Sequence, residues 1–206
     1  MGWLNMDQRT IEAYDQDAAQ ITELHASLVP LRLYKLIQAY FVAQGRTLDV
    51  GCGIGRDSFF LKQHQFDVVG IDASQGMLEQ AKFLYPSVSF FQDDLPSLQT
   101  LQDATFDNVL CSAVLMHLDS VNFWQAMQRL LDLLKPDGVL IITLRGTQQL
   151  DQRENGKLYQ AVNLTALRQF VVAQGAQLLH DEPEIEPQRQ LIWQNLVVKK
   201  LPHPAE

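Results

Sequence analysis

The sequence predicts an α/β fold in which parallel strands alternate with helices and an antiparallel hairpin finishes the sheet. Short β-rich apolar runs alternate with helical stretches between residues 47 and 144, which is typical of βαβ units. The first of these runs breaks into a loop with glycine at every second position, and a helix follows at once. Two β-rich runs then come in succession, residues 177–186 and 191–199. We expect them to pair as the hairpin.

Residues 1–44 have helical texture and no β-rich run. Apolar side chains recur every three or four residues and give one stripe, formed by Ile11, Tyr14, Ala18, Ile21 and Leu24. A second helical run starts at Pro30 and ends near Gly45. We therefore expect two helices that cover the sheet.

Residues 47–61, TLDVGCGIGRDSFFL, predict a buried strand, a glycine loop and a helix. Gly51, Gly53 and Gly55 let the backbone adopt positive φ and let a ligand lie against it. The dinucleotide fingerprint has a third glycine where this chain has Arg56, and Asp49 would repel a pyrophosphate. The loop therefore favours a ligand with a positive amino group over a diphosphate.

The β-rich run at residues 67–72 ends in Asp72, about twenty residues beyond the glycine loop. At that separation a carboxylate at the tip of the second strand can accept hydrogen bonds from both hydroxyls of a ribose. The alternative role is the N-cap of the helix at residues 74–84, which Ser74 could fill itself. We favour the ribose role.

Two further strands are expected at residues 88–92 and 106–113, and the second is followed by an apolar turn that contains His117. This position borders the crevice of an open α/β sheet. His117 could be a general base or could bond the loop backbone, and we favour the structural role because no Asp partner is visible. A helix at 121–134, a turn at 135–138 and an all-apolar central strand follow.

Composition excludes several classes of protein. The chain has 206 residues, 47% of them hydrophobic, and a formal net charge of −8, so we expect a single domain and no nucleic-acid partner. It has no apolar run of about 18 residues and no signal pattern, so we expect a cytoplasmic protein without a membrane span. The two cysteines, Cys52 and Cys111, form neither a disulfide framework nor a metal site.

The pattern hxDhGCGxGxxx over residues 47–58 resembles motif I of the class I S-adenosylmethionine-dependent methyltransferases. The resemblance continues through Asp72, the DDLP sequence at 93–96, the FDNV sequence at 106–109 and the LKPDG turn at 134–138. It implies a Rossmann-like fold, a seven-stranded and mostly parallel sheet with helices on both faces and a C-terminal antiparallel hairpin. It also implies S-adenosyl-L-methionine as cofactor and S-adenosyl-L-homocysteine as product.

The resemblance assigns roles to particular residues. Asp49 and the glycine loop would hold the methionine part of the cofactor, Asp72 the ribose, and Asp94 or Asp93, with the Leu95 backbone, the adenine. The full set expected at the cofactor is Asp49, Gly51, Cys52, Gly53, Gly55, Asp72, Ala73, Met77, Asp93, Asp94, Leu95 and Ser112.

The acceptor side is less clearly marked in the sequence. The N-terminal segment around Tyr14 resembles a lid found in small-molecule members of the family; otherwise Tyr14 only packs a helix. Arg145 ends the fifth strand and could bind an anionic acceptor or pair with a local acid. We therefore expect a small anionic or heteroaromatic acceptor held by Tyr14, Met116 and His117 on one side and Arg145, with Arg189, on the other.

These features predict one methyltransferase domain, with a helical cover at 1–45, a cofactor-binding core at 46–144 and an acceptor-side region at 145–200. Small-molecule methyl transfer by in-line displacement is the favoured function. A methyltransferase acting on protein or tRNA, and a cofactor-binding protein without transfer activity, are the alternatives. The sequence leaves the oligomeric state open.

Overall fold

The computed structural model describes residues 6–102, 104–147, 152–186 and 190–202. Nine strands are found within these ranges: β1 (Arg46–Val50), β2 (Asp67–Asp72), β3 (Ser89–Gln92), β4 (Phe106–Ser112), β5 (Leu134–Arg145), β6 (Gln152–Glu154), β7 (Lys157–Tyr159), β8 (Ala176–Glu186) and β9 (Leu191–Lys200). The same ranges contain seven α-helices: α1 (Gln8–Gln16), α2 (Ala18–Ser27), α3 (Leu31–Tyr40), α4 (Arg56–Gln63), α5 (Gln75–Leu84), α6 (Ser120–Asp132) and α7 (Leu164–Ala173).

Seven of the described strands form one sheet in the order β3-β2-β1-β4-β5-β9-β8. Strands β1 to β5 are parallel, and β9 runs antiparallel between β5 and β8. The expected fold and the terminal hairpin are thereby confirmed. The chain reverses its direction of travel across the sheet between β1 and β4, and this switch point opens a crevice at the carboxyl ends of the strands.

The central strand β5 is buried from Val139 to Leu144, and this part is apolar except for Thr143, as expected for a strand with helices on both faces of the sheet. Leu140 and Ile142 face the core under α6 and α7, whereas Ile141 between them faces the core under α3, α4 and α5. This alternation follows the two-residue period of a strand. The turn at 135–138 forms a bulge in β5, where Asp137 adopts a positive φ of 65°.

The N-terminal segment contains three helices where the apolar stripe predicted two. The stripe is interrupted at Asp17, which ends α1 and precedes α2. Helix α1 packs against α5 and β7, and α2 packs against α5. Ile21 is buried, but Leu24 is half exposed. The division lets each short helix turn its own apolar side chains inward.

A second difference lies at residues 152–159, where no strand was predicted and where a polar loop was expected as far as Gly156. Strands β6 and β7 pair here as a separate antiparallel hairpin. Asn155 and Gly156 form its turn with φ of 48° and 82°. Asn-Gly with both residues at positive φ is the preferred two-residue hairpin turn, so this dipeptide was a signal that the analysis missed.

None of the helices in the described ranges has the length and apolar character needed to cross a membrane.

Candidate active site

A pocket lies at the carboxyl ends of β1, β2 and β4, where the switch point opens the sheet. The glycine loop forms its floor, and residues from α1 and from the turn after β4 close it from above. The described residues that line it are Met6, Tyr14, His25, Val50, Gly51, Cys52, Gly53, Ile54, Arg56, Asp57, Asp72, Ala73, Met77, Asp93, Asp94, Leu95, Leu98, Ser112, Ala113, Val114 and His117.

The glycine loop needs glycine for two different reasons. Gly51 has φ of 66°, and a Cβ there would lie 2.3 Å from Cγ2 of Val114. Gly53 has φ of 54°, and the nearest atom to its Cβ position is Cε of Met77 at 3.5 Å. The first glycine allows close packing beneath the pocket, and the second leaves room for a ligand against the backbone.

Asp49 does not line the pocket but is buried beneath the glycine loop. Ser58 Oγ donates a hydrogen bond of 2.5 Å to its Oδ2. Burial and the nearby charge of Asp57 raise the pKa of Asp49 to about 7, although the bond from Ser58 opposes the shift. Any effect of the Asp49 charge on a ligand would therefore be exerted through the glycine loop, because the carboxylate does not contact the pocket.

Asp72 ends β2 at the pocket wall, with its carboxylate fixed by backbone donors. Gly53 N donates to Oδ2 and Ser74 N donates to Oδ1, each at 2.8 Å. Ser74 caps α5 with its own side chain, as the sequence suggested it could. Burial raises the pKa of Asp72 to about 6, and the two backbone bonds oppose this rise. Each carboxylate oxygen retains a lone pair for a further donor.

The two acids after β3 have different environments. Asp93 accepts hydrogen bonds from the backbone N–H groups of Asp94, Gln99 and Thr100 and from the Thr100 hydroxyl. Its oxygens are thus committed to the turn. Asp94 accepts from the backbone of Met6, and burial raises its pKa. Asp94 therefore has more capacity for a ligand than Asp93.

Among the other residues expected at the cofactor, Cys52, Ala73, Met77, Leu95 and Ser112 line the pocket. Gly55 does not line it. A Cβ at Gly55 would lie 2.5 Å from Cζ of Phe90, so this residue faces the core.

Tyr14 and His117 meet across the pocket. The Tyr14 hydroxyl lies 3.2 Å from Nε2 of His117, and Nδ1 of His117 lies 2.5 Å from the carbonyl oxygen of Leu158. A carbonyl can only accept, so Nδ1 carries the proton and Nε2 accepts from Tyr14. Burial lowers the pKa of His117 to about 4, which keeps the ring neutral near pH 7. The histidine thus bonds loop backbone and also reaches the pocket.

Arg145 lies outside the lining of this pocket. Its guanidinium makes two hydrogen bonds of 2.7 Å with the carboxylate of Glu154 and lies over the ring of Tyr159. The Nε atom is buried, and no described residue bonds it. Of the two partners considered for Arg145, the structure places a local acid beside it. Arg189, the other expected cation, lies outside the described residues.

Side chains tie α1 to the β6–β7 hairpin. The backbone N–H of Leu158 donates to the buried Thr10 hydroxyl at 2.9 Å. Arg153 makes two hydrogen bonds with Asp7, of 2.9 and 2.8 Å, and these bonds lower the Asp7 pKa to about 2. The helix and the hairpin are therefore joined, and together they form a cover beside Tyr14 and His117 of the pocket.

The sequence analysis did not assign Met6, His25, Arg56 and Asp57 to the site, although all four line the pocket. Arg56 and Asp57 directly follow the glycine loop, so their position was a usable signal. Met6 and His25 reach the pocket only through the packing of the N-terminal helices, which periodicity does not reveal.

Comparison with known proteins supports the resemblance stated from the motifs. Residues 47–138 match the family described as "Methyltransferase domain". A Geobacillus protein named as a methyltransferase is 30% identical over 110 residues, which cover 52% of this chain and 44% of that protein. A ubiquinone biosynthesis O-methyltransferase of Rickettsia felis is 31% identical over 123 residues, covering 55% and 49%. The chain spans about half the length of these relatives.

Solved structures share the fold over nearly the whole chain. The Burkholderia thailandensis 1,6-didemethyltoxoflavin-N1-methyltransferase, solved with its substrate and S-adenosylhomocysteine, has a TM-score of 0.76 at 18% identity and covers 94% of this chain and 88% of its own. The [4+2]-cyclase SpnF has a TM-score of 0.75 at 17% identity, covering 98% and 100%. Residues 47–138 thus match a methyltransferase domain, and the chain shares its fold with solved structures that include a methyltransferase with bound S-adenosylhomocysteine.

Proposed function

We propose that this protein transfers the methyl group of S-adenosylmethionine to a small, uncharged acceptor. The observation that carries the proposal is the pairing of an open glycine loop with a backbone-fixed carboxylate, Asp72, in one pocket at the switch point of the sheet. That combination fits an amino acid joined to a ribose.

The residues present fit this cofactor on three points. Gly53 leaves open space where a side chain would otherwise stand. Asp72 keeps one accepting position on each oxygen, which suits the paired hydroxyls of a ribose. Asp94 lies at the wall after β3 with a carboxylate free of the turn bonds that occupy Asp93, which suits an exocyclic amino group.

When bound, the cofactor supplies a methyl group on a positively charged sulfur, which is already an activated leaving group. The protein's task is then to align the acceptor and to exclude water. Tyr14 and the cover of α1 and the hairpin would exclude water. We propose in-line displacement because an acceptor bound beside Tyr14 and His117, which line the same pocket as the glycine loop, needs only to be aligned with a methyl group on an activated leaving group.

Tyr14 and His117 also offer a path for the proton that a hydroxyl or amine acceptor releases. Nε2 of His117 accepts from the Tyr14 hydroxyl. When the Tyr14 oxygen accepts a proton from the acceptor, it can therefore donate its own hydroxyl proton to the imidazole. Burial disfavours an imidazolium there. The free-energy cost of a positively charged His117 ring would be lower after methyl transfer, because the pocket would then no longer hold the positive charge of the cofactor.

The charges around the pocket favour a neutral acceptor over an anion. Asp57, Asp72, Asp93 and Asp94 line it, and the one guanidinium among the described lining residues, Arg56, is bound to Asp57. Nearby Lys157 lies over the Tyr14 ring, 3.7 Å from Asp17. Arg145 is held by Glu154. Of the two acceptor types expected from the sequence, we therefore retain the heteroaromatic one and add neutral phenols.

The experiment has a binding arm and a turnover arm. Calorimetry with S-adenosylhomocysteine should show that Asp72→Asn weakens binding by about 2 kcal/mol, roughly 30-fold, the scale of a lost charged hydrogen-bond pair. Asp67→Asn, an exposed acid at the other end of the same strand, is the matched control. Equal affinities for wild type and Asp72→Asn, or tighter binding of NAD, would refute the cofactor assignment.

The turnover arm measures the release of S-adenosylhomocysteine with matched acceptors, each neutral phenol or heteroaromatic paired with a carboxylate of the same skeleton. We expect turnover with neutral members. Turnover confined to carboxylates would refute the neutral acceptor.

A second candidate function is cofactor-dependent chemistry without methyl transfer. It is favoured by one observation, the close likeness of fold to a protein described as a [4+2]-cyclase. Tight binding of S-adenosylhomocysteine, with no conversion of S-adenosylmethionine to S-adenosylhomocysteine in the presence of any acceptor, would support it.

A further inference from the structure

The guanidinium of Arg56 joins the glycine loop to the last turn of α2. Arg56 is the first residue of α4. Its Nη1 donates to the carbonyl oxygens of His25, at 3.3 Å, and Leu28, at 3.2 Å. Its Nε and Nη2 donate to the two oxygens of Asp57 at 2.8 and 3.0 Å. The Arg56 side chain thus reaches from the glycine loop to the end of α2.

Helix α3 also helps to fix the orientation of Arg56, because it holds Asp57. The Tyr34 hydroxyl, on α3, donates to Asp57 at 3.0 Å, and the Tyr34 ring stacks on Phe60 at 3.7 Å between centroids. Asp57 therefore holds the planar guanidinium in one direction. A lysine could place a charge there but could not bond a carboxylate at two points and two carbonyls at once.

The carbonyls that Arg56 bonds come from the end of α2, where a helix carries partial negative charge; the His25 carbonyl also accepts from the backbone N–H of Leu28. The same helix rests on the glycine loop. Ala18 and Ile21 of α2 pack with Ile54, which stands between Gly53 and Gly55, and with Met77. Helix α2 therefore contacts the loop through both an apolar cluster and a cation.

From this arrangement we infer that Arg56 is a positioning residue that couples helix α2 to the glycine loop. A ligand that orders the glycine loop also fixes Ile54 and Arg56, and these two residues hold α2 against the loop. Closure of α2 in turn supports the loop, because coupling between two sites is reciprocal. The inference rests on the proposed function for the identity of the ligand. It also accounts for an arginine at the place of the third dinucleotide glycine.

Hydrogen exchange of the amides at residues 21–28, measured with and without S-adenosylhomocysteine, tests the coupling. In the wild type the ligand should slow this exchange at least tenfold. Arg56→Lys should speed the ligand-free exchange at least tenfold, weaken binding about tenfold, and reduce the protection that the ligand gives. Exchange in β1, β4 and β5 should not change. Arg32→Lys is the matched control, since Arg32 bonds Glu182 from α3.

Several outcomes would overturn the inference. Unchanged exchange at residues 21–28 in Arg56→Lys would mean that Arg56 does not hold α2. Faster exchange throughout the sheet would mean that Arg56 stabilises the whole fold and not α2 in particular. In that case Asp57→Asn, which removes the carboxylate that orients Arg56, should not speed the exchange at residues 21–28 alone. Failure of the wild type to bind S-adenosylhomocysteine would refute the proposed function and the coupling. The exchange rates without ligand, compared between wild type and Arg56→Lys, would still show whether Arg56 holds α2 in place.

Discussion

Replacing Asp49 by Asn should stabilise the ligand-free protein above pH 7. The carboxyl is buried under the glycine loop, and burial raises its pKa to about 7 from an ordinary value of 3.8. The folded state therefore binds this proton more tightly than the unfolded state does. The stability contributed by the proton is full below about pH 4 and is lost as the pH rises through about 7.

The size of the effect follows from the gap between the two pKa values. A gap of about three units corresponds to about 4 kcal/mol of differential stability. An amide of the same shape carries no charge at any of these pH values. Even a quarter of the gap, about 1 kcal/mol, would raise the melting temperature of a chain of this length by roughly 2–4 °C.

Scanning calorimetry from pH 4 to pH 8 measures this directly. The melting temperature of Asp49→Asn should exceed that of the wild type at pH 8, and the difference should vanish toward pH 4. Asp67→Asn changes an exposed acid and should show no such trend. The binding of S-adenosylhomocysteine should weaken in Asp49→Asn, because the loop loses the charge beneath it. A lower melting temperature at pH 8, or a difference that does not depend on pH, would refute the reasoning.

Two predictions concern the acceptor side. Tyr14→Phe should lower kcat by about 10² or more if the hydroxyl passes a proton to His117, with the affinity for S-adenosylhomocysteine unchanged within twofold; a loss of kcat under threefold would reduce Tyr14 to packing. Arg145→Met should destabilise the protein by about 1 kcal/mol or less in denaturant unfolding, because it removes an ion pair whose carboxylate, Glu154, is partly exposed and still accepts from Gln152, while acceptor KM stays constant; a raised KM at unchanged stability would instead place Arg145 at the acceptor.

The cofactor half of the site follows from local sequence. The glycine loop, the acid at the end of β2 and the cap at Ser74 depend on residues close to one another in the chain, and each spacing has a direct structural meaning. Gly55 shows the limit of such reading. It belongs to the motif, but it faces Phe90 in the core and not the pocket.

The cover could not be read in the same way. Thr10 bonds Leu158, and Tyr14 bonds His117. Periodicity reports which face of a helix is apolar, but it does not report which distant strand that face meets. The partner of Arg145 was open for the same reason, since any acid in the following loop fitted the sequence and only the hairpin selects Glu154.

The bonds between α1 and the hairpin also bear on the order of folding. They join residues 146 and 148 positions apart in the chain, and contacts of such separation form late because a long loop must close first. During synthesis α1 emerges early and can pack against α5, but its bonds to the hairpin form only after β6 and β7 have emerged. The bonds between Arg153 and Asp7 are exposed, and we expect them to open before the sheet does, whereas the bond between Leu158 and Thr10 is buried. The free energy of this local opening can be tuned at Arg153 without altering the stability of the sheet.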